Sequence, residues 1–264
     1  MRFFRTIPIC LALLAGRVLA QDSLPNDHDP VSGENTEPSI SLKQLLPHLA
    51  VDQKRIWSFP VTAARGRGWK PALAVIGVSA GLIALDPVDT PYFQRTSFQQ
   101  SPTVHEFNHF MSGTNTALVI AAVPVAFYAA GLIRKDSYAS QTALLAGEAV
   151  INTQIVATIV KDVSRRMRPN EFDPNGDFSD SWFRTKNRGV GGFGSFPSGH
   201  TAAAFAVATV FAERYRSHRW APWVAYGLAG AIGFSRVSSQ AHFPSDVFLG
   251  AALGFSTSHF VVLR

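Results

Sequence analysis

Three stretches of the chain carry almost no charge. Ser112–Ile133 has none over 22 residues, Tyr138–Val160 has only Glu148, and Val247–Leu263 has none. A helix that crosses the hydrocarbon core of a bilayer needs about 20 mostly apolar residues, so all three qualify as spans. Pro71–Leu85 and the pair Thr201–Ala212 with Trp220–Ser235 are also apolar but shorter. No alternation of period two persists anywhere, and no internal repeat is visible. The predicted fold class is all-α: a bundle of about six core helices, embedded in a membrane. Trp57, Trp69, Trp220 and Trp223 fall at segment edges, where an interfacial aromatic belt would put them.

The amino-terminal quarter has a different pattern. Residues 1–20 combine a basic start (Arg2, Arg5), an apolar run from Thr6 to Gly16 and a small residue, Ala20, before Gln21. That is the pattern of a secretory signal peptide cleaved after Ala20. Residues 21–40 are rich in Asp, Asn, Glu, Ser and Pro and have little to bury, which predicts a disordered leader. Residues 41–70 form an amphipathic surface region. Leu42, Leu45, Leu46 and Leu49 share one helical face, with Pro47 breaking or kinking the helix. That face suits a membrane surface and suits packing on the protein equally well. The helical core domain is predicted at 71–264.

Short basic turns at Arg134-Lys135 and Arg214–Arg219 favour the cytoplasmic side. The loop after Val160 then faces outward. A cleaved signal also puts residue 21 outside, and the crossing parity closes only if Pro71–Leu85 does not span. With 15 residues, that stretch is expected to be an interfacial or buried helix.

Charged residues make up 16% of the chain, against about 25% in ordinary soluble domains. The net charge of +6 includes three arginines of the signal segment; the remainder holds 21 basic residues against 18 acidic. That balance gives no footprint for nucleic acid. The single cysteine, Cys10, lies in the signal segment, so a disulfide framework is excluded.

Three blocks in the second half carry chemistry. The first is Lys161, six residues, then Arg168-Pro169. The second is Phe196-Pro197-Ser198-Gly199-His200-Thr201. The third is Ser235-Arg236, five residues, His242, three residues, Asp246. Lys161 and Arg168 are seven apart and are predicted to share a helical face, with the helix ending near Arg168 because Pro169 disfavours helix there. Gln154 and Thr158 continue that face backward. Pro197-Ser198-Gly199 reads as a helix start, whose free N–H groups form an anion site. Pro244 lies between His242 and Asp246, so the two straddle a helix entry.

This joint pattern resembles the type 2 phosphatidic acid phosphatase superfamily, which includes lipid phosphatases, bacterial acid phosphatases and vanadium haloperoxidases. All three blocks match without a substitution. The resemblance implies a helical bundle and phosphate ester hydrolysis without a metal or other cofactor. It implies that His242 is the nucleophile, becoming a phosphohistidine, and that Asp246 orients it. It implies that His200 is the acid and then the base. Lys161, Arg168 and Arg236, with Ser198 and the Gly199 N–H, would hold the phosphoryl oxygens. The implied partners are a lipid phosphate and the bilayer itself. The implied location is a bacterial inner membrane with the site facing the periplasm, a soluble periplasmic enzyme being the alternative. The oligomeric state is left open.

Two other motifs compete. His105-Glu106-Phe107-Asn108-His109 spells a zinc-protease pattern, with Glu148 as a conceivable third ligand. Its surroundings, rich in Ser, Pro, Asn, Gly and Thr, read as a loop. Gly189-Val190-Gly191-Gly192-Phe193-Gly194 spells a dinucleotide pattern, but no strand precedes it, which leaves a flap before the second block. Glu148 and Asn152, four apart in an apolar helix, read as a transport path or as a buried interhelical hydrogen bond. The competing functions are thus a soluble acid phosphatase, a vanadate-dependent haloperoxidase, a zinc endopeptidase and a non-catalytic membrane scaffold.

Overall fold

A computed structural model describes residues 41–264, except 67, 96–98, 100, 174–175 and 186–188. The expected signal segment and polar leader lie outside the described residues. Among the described residues every regular element is helical. They are α1 Leu45–Ala64, α2 Trp69–Arg95, α3 Pro102–Phe110, α4 Gly113–Arg134, α5 Ser137–Ser164, α6 Gly199–Arg214, α7 Ala221–Ser238 and α8 Pro244–Thr257. A 3₁₀ turn at Pro169–Glu171 and a π-helical turn at Ser258–Val262 complete the set.

α2 and α4 to α8 are the six helices of the bundle. α6 is its axis and packs against α5, α7 and α8; α4 packs on α5, and α2 on α8. The reason lies in side-chain size. The buried face of α6 is Ala202, Ala203, Ala204, Ala206, Ala208 and Ala212 with Val207 and Val210, so its neighbours can approach closely. On α8, Gly250 and Gly254 are four apart and turn to that face. A Cβ on Gly250 would lie 2.6 Å from the Ser198 carbonyl oxygen, and one on Gly254 only 2.1 Å from that of Ala202. Such small-residue spacing is how helices in a bilayer bring backbones together.

Four helical segments are long and apolar enough to cross a membrane: Trp69–Gln94, Gly113–Arg134, Ser137–Glu171 and Pro244–Val262. Their outer faces leave Ile76, Leu85, Leu118, Val125 and Leu132 more than half exposed, as lipid-facing residues would be.

Two expectations are corrected here. Pro71–Leu85 is part of a 27-residue helix, because Pro87 and Pro91 do not end it. The length argument that kept this stretch out of the bilayer therefore falls. Pro47 does not break α1 either, because it occupies the first turn, where its missing N–H costs nothing. The leucine stripe is not the packing face of α1: Leu42 and Leu46 are exposed, and only Leu45 joins the core. Polar contacts seat this helix instead. Asn152 of α5 donates from Nδ2 to Asp52 (2.8 Å) and accepts from Gln53 Nε2 (2.9 Å), while His48 lies 3.6 Å from Glu148. Of the two readings of Glu148 and Asn152, the interhelical contact is the one found. Burial raises the Asp52 pKa above the usual carboxylate range, opposed by its hydrogen bonds to Glu148 and Asn152.

The candidate active site

One end of the bundle gathers the end of α5, the starts of α4 and α6, the end of α7 and the entry to α8. Loops 165–198 and 239–243 connect them there. The basic turns at Lys135 and at Arg214–Arg219 lie at the opposite ends of the same helices.

α5 stops at Ser164, with Arg165 in the left-handed region at φ 44°. Arg168, in extended backbone, starts the following 3₁₀ turn. The helix thus ends four residues earlier than Pro169 suggested, and Lys161 and Arg168 do not share a helical face; a turn in the chain returns Arg168 to the site. Lys161 is buried and points at the start of α6, where a methyl group on Gly199 would lie 3.9 Å from its Nζ. Gln154, one helical face back, donates to the Gly199 carbonyl (2.8 Å). Ser198 holds the N-cap position of α6 and is fully buried, but its hydroxyl makes no capping bond and pairs with Thr201 Oγ1 (2.9 Å) instead.

His200 Nε2 lies 2.9 Å from the carbonyl of Gly113, at the start of α4. Arg236, at the end of α7, donates to the Met111 carbonyl and to Ser235 Oγ. Burial lowers the pKa of His200 below its usual value, as does the charge of Arg236, against the pull of the Gly113 carbonyl. Burial and the charge of Arg168 do the same to Arg236.

His242 precedes α8 and is buried. Asp246 stands at the third position of α8, where its Oδ2 accepts from the Phe243 backbone N–H (3.0 Å) and lies 3.6 Å from His242 Nδ1. Ser195 sits between them, its hydroxyl donating to Asp246 Oδ2 and lying 3.4 Å from His242 Nδ1. Burial pushes the His242 pKa down to about 4, assisted by Lys161 and Arg168 and opposed by Asp246. The imidazole is therefore neutral across the ordinary pH range.

The structure brings together the six charged or imidazole groups of the three blocks. Lys161 lies against the start of α6, Arg168 acts on both histidines and on Arg236, and Asp246 backs His242. Sequence reasoning missed Arg166, Ser195, Gly113 and Asp86. Arg166 fell among the unspecified positions between Lys161 and Arg168. An acid closing an apolar stretch was the available signal for Asp86; Ser195 and Gly113 gave none.

The competing motifs resolve differently from expectation. His105–His109 is helical rather than looped, within α3, and His105, Glu106 and His109 are exposed there. Glu148 is engaged with α1, and among the described residues no three His, Cys, Asp or Glu side chains are grouped to hold a metal. The glycine-rich stretch is a loop laid over Lys161. Asp162 accepts from the N–H groups of Gly191 (3.0 Å) and Gly192 (2.7 Å), and a methyl group on Gly192 would meet Thr158 and Lys161 at 3.5 Å.

Three cations, two histidines and a carboxylate thus meet at one end of an apolar bundle, with one imidazole buried and neutral beside the carboxylate. The family is named by comparison. Residues 142–264, a little under half of the chain, match the PAP2 superfamily. The lipid A 1-phosphatase of Porphyromonas gingivalis is 48% identical over 63 residues, 23% of this chain and 14% of that protein. The lipid A 1-phosphatase of Rhizobium etli is 37% identical over 107 residues, 40% of this chain and 42% of that protein. The chain therefore spans less than half the length of these curated relatives. Among solved structures, a transmembrane PAP2 type phosphatidylglycerolphosphate phosphatase from Bacillus subtilis aligns with a TM-score of 0.41 and 20% identity, covering 80% of this chain and 93% of that one.

Proposed function

We propose that the protein is a membrane-embedded phosphatase that hydrolyses a lipid phosphate at the outer face of a bacterial inner membrane, through a phosphohistidine on His242. The observation that carries this reading is the buried, neutral His242 backed by Asp246, with the charges of Lys161 and Arg168 acting on it and Arg236 acting on His200. Phosphoryl transfer is mostly positioning and charge stabilisation, and Lys161, Arg168 and Arg236 supply the charge. The free imidazole nitrogen of His242 attacks phosphorus. The bond from phosphorus to the leaving oxygen breaks, and His200 protonates that oxygen. Water then attacks the phosphohistidine, giving its proton to His200, and inorganic phosphate leaves. The negative charge of a bound phosphate offsets Arg236 and Lys161, which favours the protonated His200 that the first step needs.

The exposed apolar faces of four span-length helices favour the membrane over the soluble alternative. The lipid A phosphatases among the relatives make a phosphorylated glycolipid the first substrate to try. The test is phosphate release by detergent-solubilised protein across lipid A, phosphatidate, phosphatidylglycerol phosphate, an isoprenyl diphosphate and an aryl phosphate. The expected result is hydrolysis of a lipid substrate, inhibited by vanadate and abolished in His242→Ala. Release that survives in His242→Ala would overturn the mechanism.

A further inference from the structure

Behind Asp246 lies a second buried carboxylate that the three blocks do not include. Asp86 comes from α2, outside the segment that matches the family. It is fully buried, and its Oδ2 accepts from Arg166 Nη2 (2.6 Å) and from the Ser245 hydroxyl. Its Oδ1 lies 3.4 Å from the Ser245 backbone N–H. Arg166 is 1% exposed, and every edge of its guanidinium is occupied. Nη1 donates to Asp246 Oδ1 (2.7 Å) and to Ser245 Oγ (2.7 Å), and Nε donates to Ser181 Oγ (3.0 Å). Its faces are covered by the rings of Phe243 at 3.9 Å and Trp182 at 4.6 Å. The guanidinium thus clamps two carboxylates from two different helices.

The arrangement has an electrostatic consequence. Arg166 paired with Asp246 alone would draw that carboxylate's charge away from His242 and weaken its support for the imidazolium that forms during turnover. With Asp86 on its other side, the Arg166 charge is already answered, and Asp246 keeps its negative charge for the histidine. Removing one partner of such a buried pair leaves an unanswered charge in a low-dielectric interior.

We infer that Asp86 is a positioning residue for the nucleophile: through Arg166 and Ser245 it fixes Asp246 against His242 and frees that carboxylate's charge to support the imidazole. This rests on His242 acting as the nucleophile. The groups that face His242 are Asp246 and Ser195, with the charges of Lys161 and Arg168 also acting on it; Asp86 reaches it only through the Arg166–Asp246 pair.

The test uses the full chain in detergent with an aryl phosphate substrate. Asp86→Asn keeps the shape and removes the charge. It is expected to lower kcat about tenfold to a hundredfold, the size of effect outer-shell partners have at other sites. KM should stay within about twofold, because the three cations that hold phosphate are untouched. Rapid quenching should find slower formation of the phosphoenzyme, and the acid limb of kcat/KM should move to lower pH, since His242 loses support for its protonated form. Val210→Ala, in the core at the far end of α6, is the control: it should lower the melting temperature with kcat and the acid limb unchanged. A folded Asp86→Asn protein with wild-type kcat and acid limb would overturn the inference. If Asp86→Asn does not fold, Asp86→Glu, which keeps the charge but displaces the carboxylate, must show the same fall in kcat at constant KM, and wild-type kcat there overturns it equally. Failure of the underlying mechanism is distinguishable, because it appears in the wild type and in His242→Ala.

Discussion

At the scale of the residue, the site depends on which imidazole carries a proton. His242 is held down to about 4 by burial first, so it stays neutral as the pH falls from 6.5 toward 4 and loses its nucleophilic form only below that. His200 is lowered from 6.5, so it loses the acid form before neutrality as the pH rises. If His242 is the nucleophile and His200 the acid, as proposed, both are in their active forms only on the acid side, and kcat/KM for an aryl phosphate should peak below pH 6.5. An optimum above neutrality, unmoved in His200→Gln, would contradict that assignment. Ser195 makes a second prediction. Its hydroxyl binds Asp246 Oδ2 and lies nearer to His242 Nδ1 than the carboxylate does, 3.4 Å against 3.6 Å. Ser195→Ala should lower kcat by about tenfold, the equivalent of one lost hydrogen bond to a charged group, with little change in KM. Steady-state kinetics on the two proteins decides it.

At the scale of the element, α6 and α8 are set by glycine. No side chain fits at Gly254, where a Cβ would lie 2.1 Å from the Ala202 carbonyl oxygen. Gly254→Leu should therefore force the helices apart at a cost of at least about 1–3 kcal/mol. His242 and Asp246 enter on α8 and His200 on α6, so the damage should reach the site as well. The readouts are a lower melting temperature in detergent together with lost turnover. The Asp162 anchor is a separate element-scale device. Asp162→Asn weakens the acceptor for Gly191 and Gly192 without touching the histidines. The expected effect is a higher KM from a loosened loop over Lys161, with kcat falling less; a fall in kcat at constant KM would assign the loop a role in chemistry instead.

At the scale of the whole molecule, the two histidines and the short basic turns fall at opposite ends of the bundle. The short basic turns at Arg134-Lys135 and Arg214–Arg219 lie at the ends of the helices opposite the histidines. By the bias of basic loops toward the cytoplasm, the site should face outward. In a chain also lacking Cys10, a cysteine introduced at Ser239 should react with an impermeant thiol reagent in intact cells. One at Lys135 should react only after lysis. The reverse pattern would invert the orientation.

Much of this was legible in the chain. Long uncharged runs must be helical in a bilayer because every backbone N–H and C=O needs a partner within its own segment, so the all-α class followed from hydropathy alone. The three blocks were legible because phosphate chemistry demands particular side chains at fixed spacings, and the entry of α8 between His242 and Asp246 followed from Pro244. What only tertiary structure decided were contacts between residues far apart in sequence. Asp86 meets Arg166 and Ser245 across 80 and 159 positions, and Asp52 meets Asn152 across 100. Periodicity cannot register such pairs, because it reports which face a residue occupies on its own helix and not which helix lies opposite. The same limit hid the length of α2: Pro87 and Pro91 mark a stop on the sequence, but the helix runs on through them to Arg95.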